Sequence, residues 1–119
     1  MERIWERARE VGRLVAQSDE YGAFTRANAR LTEDRDMVAR LNRLQELEEG
    51  FTRGIQQGQA PGQEEQDEYE RIASEVQVDP AYQAFEVART NFDRLMMRVN
   101  EEIARGVQEG ERSRIILPG

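Results

Sequence analysis

Five glutamates fall in two tight groups, Glu46, Glu48 and Glu49, then Glu101 and Glu102, and carboxylates are the ligands a hard cation takes. Carboxylate-bridged di-iron bundles add Glu-x-x-His pairs, and this 119-residue chain has no histidine. That absence also removes the commonest general base and the commonest metal ligand. Cysteine is missing as well, so no disulfide, thiolate nucleophile or sulfur-ligated cluster can form. The stretch from Gly54 to Gly58 lacks the lysine and Ser/Thr of a phosphate-binding loop. The residue types therefore predict no catalytic site, no cofactor and no metal, and the glutamates read as a solvated acidic face.

Charge points the same way. The chain carries 24 acidic and 17 basic residues for a net charge of −7, and every basic residue is arginine. Such a chain is repelled by phosphate backbones and anionic membranes unless its cations cluster. They are instead interleaved: Arg3, Arg7, Arg9 and Arg13 alternate with Glu2, Glu6 and Glu10 at spacings that suit weak helical ion pairs. Arg112 and Arg114 are too small a cluster to anchor an RNA, so direct nucleic-acid binding is not expected. No stretch approaches ~20 apolar residues, which predicts no membrane insertion. Met1 to Glu10 has no apolar signal core, and a cytoplasmic location is expected.

The elements that would carry any function are helices. Hydrophobic residues make up 38% of the chain and charged residues 34%, a balance that suits narrow apolar stripes better than a thick interior. In the first segment Ile4, Ala8, Val11 and Val15 recur at three- and four-residue steps, flanked by Trp5 and Leu14. Ser18 is placed as an N-cap with Asp19 and Glu20 in the first turn of a second helix. Tyr21, Phe24, Ala27 and Leu31 line one face of that helix, and Thr32 suggests a fresh cap. The third stripe runs through Met37, Val38, Leu41, Leu44, Phe51 and Ile55. Glycines at 50, 54 and 58 weaken its end, and Gln56 to Gln63 reads as a loop. Tyr69, Ile72, Ala73 and Val76 mark a fourth helix. Asp79-Pro80 then starts a fifth, expected to run from Pro80 to about Arg105, with Gly106 and Gly110 at its end. The expected fold is all-α: a bundle of about five helices with a long C-terminal helix and antiparallel packing. Residues 1–107 form the helical domain, and residues 108–119 form a tail expected to be flexible.

One segment is repeated. Tyr21-Gly22-Ala23-Phe24-Thr25-Arg26-Ala27 and Tyr82-Gln83-Ala84-Phe85-Glu86-Val87-Ala88 share the pattern YxAFxxA, and each follows an acidic cap. Two helices with similar aromatic faces can bury them against each other as an antiparallel pair. A Tyr/Phe stripe at helical spacing is usually core, so Tyr21, Phe24, Tyr82, Phe85 and Phe92 are expected to be structural.

With these elements in order, SDEYGAFTRANARLTEDRDMVARLNRLQELEE, a Gly/Gln-rich linker and VDPAYQAFEVARTNFDRLMMRVNEEIARGV, the chain resembles the YlbF/YmcA family of bacterial regulators. The matching positions are Ser18, Glu20, Tyr21, Ala27, Asp34, Asp79, Pro80, Tyr82 and Phe85, and the resemblance spans about residues 2 to 107. It implies a small helical protein that self-associates, forms complexes with relatives, and takes part in competence, sporulation and biofilm development. It further implies an adaptor for the membrane-bound endoribonuclease Y. Some complexes of that family hold iron–sulfur clusters through cysteines, and this chain can supply no such ligand.

The reading that follows is a non-enzymatic, oligomerising adaptor. Its partners would be itself, as a dimer or tetramer, together with sister family members or a ribonuclease. A self-assembling structural protein and a weak RNA binder are the alternatives. Val87 and Met97 fall outside the apolar arc of the last helix, and Ile115, Ile116 and Leu117 form an apolar run near the end. These five are the partner-binding candidates.

Overall fold

Helix starts in this chain are written in side chains that cap them. Ser18 Oγ accepts the Tyr21 amide at 3.1 Å, and Asp79 Oδ1 accepts the Tyr82 amide at 3.0 Å, with Pro80 next in line where no amide is needed. The computed structural model describes the backbone of residues 1–116 and the side chains of residues 1–113. It holds five helices: α1 (Glu2–Ala16), α2 (Asp19–Glu33), α3 (Arg35–Gln56), α4 (Gln63–Gln77) and α5 (Pro80–Ile116). There is no strand among the described residues.

Two boundaries differ from expectation. The cap of α3 is Asp34, whose carboxylate accepts the Met37 amide at 3.1 Å. Thr32 stays inside α2 because its hydroxyl donates back to the Ala29 carbonyl at 3.2 Å, the local bond that competes with capping. Helix α5 passes its expected end at Arg105 and continues through Gly106 and Gly110 to Ile116. Each glycine costs a helix only ~1 kcal/mol, and neither adopts a positive φ.

The loop after α3 falls where expected. Gly58 has φ +74°, and the Gln59 amide donates to the Gly54 carbonyl at 2.8 Å while Gly58 donates to Ile55 at 3.0 Å. That pair of bonds is a Schellman closure, which glycine alone enters without strain.

Helices α3 and α4 form one antiparallel hairpin, and α2 lies along the first half of α5. Leu31, Met37, Leu47, Ile72, Val76 and Ala81 form the buried core between them, with Phe51, Tyr69, Tyr82 and Phe85 packed on it. Leu47 was absent from the sequence-derived stripe yet is 5% exposed. Ile55, on that stripe, is exposed, because the last turn of α3 runs into the loop. The molecule measures 70 × 38 × 23 Å with a radius of gyration of 21.7 Å. A compact chain of this length would have a radius of about 13–14 Å. The excess comes from α1 and the second half of α5, which extend beyond the core.

Candidate functional site

Ile4, Ala8, Val11 and Val15 repeat at steps of four, three and four, and so stand on one face of α1. Opposite them α5 presents Phe92, Met96, Val99 and Ile103 at the same steps. The two faces do not close on each other. They form the walls of an open groove of about 970 Å³ whose lining also includes Gly12, Asn100 and Gly106. Helix α1 makes its helix–helix contacts with α2, and it has no buried residue. Ile4 is 56% exposed and Ile103 56%.

The polar content of the groove is small. Arg3 and Arg7 stand on the α1 rim, and Arg7 pairs with Glu10 at 3.1 Å. Near the α5 wall Arg98 reaches Glu102 at 3.1 Å, and Arg105 reaches the same carboxylate at 3.3 Å. Small-molecule pockets combine apolar walls with a few convergent polar groups. Here the walls are long and parallel to two helix axes, a shape suited to another helix.

The glutamates singled out for possible metal ligation are engaged elsewhere. Glu46 pairs with Arg43 at 3.2 Å, and Glu49 accepts from Gln45 at 3.3 Å. Glu48 accepts the Tyr69 phenol at 2.8 Å, and that bond is the main cause of a raised Tyr69 pKa. Glu101 and Glu102 flank Arg98. Arg43 also binds both carboxylate oxygens of Glu68 across the α3–α4 hairpin. Hydrogen bonding from that guanidinium holds the Glu68 carboxyl below the usual carboxylate range.

The repeated YxAFxxA segments face each other. Tyr21 lies 5.6 Å from Phe92, and Phe24 lies 5.7 Å from Phe85 and 5.4 Å from Phe92, ring centre to ring centre. All of these rings, with Tyr82, are half-buried. The alanines of the repeat (Ala23, Ala27, Ala84 and Ala88) line a shallow hollow on the same helix pair.

The partner-binding candidates are not brought together. Val87 is 62% exposed and sits over that alanine-lined hollow, while Met97 is 62% exposed further along α5. Ten residues of helix separate them by about 15 Å. The side chains of Ile115 and Ile116, and all of Leu117, lie outside the described residues. The groove itself was not foreseen, since its residues read as ordinary core stripes. A signal was present: α1 is strongly amphipathic, and the chain has more stripes than one small core can cover.

Among the described residues, five helices with a closed core and an open apolar face define this molecule's class. It belongs to the YlbF/YmcA family: the family model described as control of the competence regulator ComK, YlbF/YmcA, matches residues 4–108. Among curated proteins it is similar to a UPF0342 protein of Leuconostoc mesenteroides, 24% identical over 106 residues, covering 89% of this chain and 91% of the relative. Among solved structures it is similar to a chain in the crystal structure of Bacillus subtilis RicA in complex with RicF, with a TM-score of 0.75 and 18% identity. That match covers 91% of this chain and 96% of the other and concerns the fold.

Proposed function

We propose that this chain is a non-enzymatic adaptor that oligomerises and binds sister family members, acting in the control of ribonuclease Y-dependent RNA processing and of developmental programmes such as competence. The observation that carries the reading is the open α1–α5 groove, an apolar face as long as α1 that the described residues leave uncovered. Contiguous exposed apolar surface of this extent marks interaction sites. Family membership supports the regulatory setting, and the similar fold of the RicA–RicF structure belongs to a complex of two proteins. The chain's acidity, −7 overall, favours a protein partner over RNA.

The test is affinity capture of the tagged full-length chain from its own host, with mass spectrometry of what is retained. Sister family proteins or a ribonuclease should be recovered by the parent chain and lost with Ile103→Glu. Capture of neither would sink the adaptor reading. A self-assembling structural role is the second reading, favoured by the 70 Å length of the molecule. It predicts large polymers in light scattering, where the adaptor predicts a defined dimer or tetramer.

A further inference from the structure

We infer that Ser18 is the positioning residue of the groove: its hydroxyl ties α1 to α2 and so fixes how far the α1 wall stands from the α5 wall. The inference rests on the reading of the groove as a protein-binding site, and it names what holds that site in shape.

Helix α1 has no buried residue, and among the described residues α2 is the only helix it packs on. Its direction is therefore set at the joint, where Gln17 and Ser18 are the two residues between the helices. A helix of this length is about 22 Å long, so a turn of about 10° at the joint carries the Ile4 end through about 4 Å. A free joint would leave the groove without a definite width.

Ser18 removes that freedom. It is half-buried and extended, with φ −71° and ψ 153°. Its Oγ donates to the Val15 carbonyl at 2.6 Å and accepts the Tyr21 amide at 3.1 Å. One atom thus closes the last turn of α1 and opens the first turn of α2. The Ser18 amide adds a second bond to the same Val15 carbonyl, at 3.0 Å. Both partners lead to the groove. Val15 stands on the α1 wall. Tyr21 holds its ring 5.6 Å from that of Phe92, and Phe92 stands on the α5 wall. The path Val15–Ser18–Tyr21–Phe92 joins one wall to the other.

The other capped joints are held differently. Asp34 and Asp79 cap α3 and α5, and an ionised carboxylate accepts hydrogen bonds but cannot donate one to the helix before it. Packing fixes those joints instead, because buried Leu31 and Met37 flank Asp34, and buried Val76 and Ala81 flank Asp79. The helix before Ser18 offers no such side chain. Its joint carries the hydroxyl, which can donate and accept at once.

Aspartate at position 18 separates the two halves of this role. It caps a helix about as well as serine does, but it has no proton for the Val15 carbonyl, whereas threonine keeps both bonds. Because the chain lacks cysteine, nitroxides on Glu6→Cys and Glu101→Cys, both outside the groove lining, are the only labels. Full-length labelled chain diluted into an excess of unlabelled chain then reports the α1–α5 distance within one copy. The parent and Ser18→Thr should each give one narrow distance. Ser18→Asp should keep the parent's urea midpoint, yet its distance should shift or spread by about 4 Å or more. Its retention of sister family proteins should fall about tenfold, as when about one molecule in ten holds the binding orientation.

A Ser18→Asp distance as narrow as the parent's, with or without a lower midpoint, would reduce Ser18 to a cap and overturn the inference. So would an equal spread in Ser18→Thr, or undiminished retention by Ser18→Asp. If the Ser18→Asp distance stays narrow while the parent captures sister proteins, the positioning role fails and the adaptor reading stands. If that distance spreads while the parent captures nothing, Ser18 still sets the groove and the adaptor reading falls.

Discussion

The two ends of this molecule are built from the same material and meet different fates. Around the α3–α4 hairpin, amphipathic helices cover each other, and every buried side chain of the described residues lies between Leu31 and Ala88. Along α1 and the second half of α5, stripes with the same period remain open. Polar contacts follow the division. Arg40–Glu75 at 3.1 Å, Arg43–Glu68 and Tyr69–Glu48 tie α3 to α4, whereas Arg7–Glu10 lies within α1 itself. A stripe thus states which face of a helix is apolar, and only the arrangement of its neighbours states whether that face is covered within the chain.

Substitutions can break this contrast in graded steps. Met37 is fully buried, and Met37→Ala should destabilise the chain by about 3 kcal/mol through a core cavity, read from urea unfolding. A loss under about 1 kcal/mol would mean that the hairpin core is no tighter than the open face. Phe24→Ala comes next. Full burial would put its cost at ~3–5 kcal/mol, but the ring is half-buried against Phe85 and Phe92. A loss of about 2 kcal/mol is expected, and the same urea unfolding would reveal a larger one. Asp34→Ala removes the cap of α3 and should cost about 1 kcal/mol; unchanged stability would show that α3 is held by packing alone.

The Arg43–Glu68 pair is exposed and should contribute less. Its guanidinium depresses the Glu68 pKa, so the contribution is present above the ordinary carboxylate value of ~4.3. It fades as pH falls through the lower folded value. Thermal melts of Glu68→Gln and the parent should therefore differ at pH 7 and converge near pH 3; a gap that persists in acid would contradict the assignment. The smallest effect belongs to the open face. Ile103 is exposed, and Ile103→Glu should change the folding stability of the chain by no more than about 0.5 kcal/mol. A large loss there would show that the face is covered within the chain after all.

Much of this was legible in the residues themselves. Ser18 and Asp79-Pro80 marked the starts of α2 and α5, and the turn around Gly58 marked the end of α3, because capping and glycine chemistry act over three or four residues. The YxAFxxA repeat indicated a helix pair sharing aromatic faces, and Tyr21, Phe24, Phe85 and Phe92 do meet across α2 and α5. Local rules went astray where competing energies were close. Thr32 and Asp34 could each have capped α3, and the hydroxyl's bond to Ala29 decided between them. Gly106 and Gly110 were weak stops with no helix breaker between them.

Period and caps, fixed by backbone geometry within a few residues, thus determined that this protein is five amphipathic helices and which side of each is apolar. Tertiary structure alone decided that Leu47 is covered while Ile55 is not, and that Ile4 and Ile103 face an open groove. Burial depends on whether another element lies opposite, and that is a relation between residues as distant in sequence as α1 and α5.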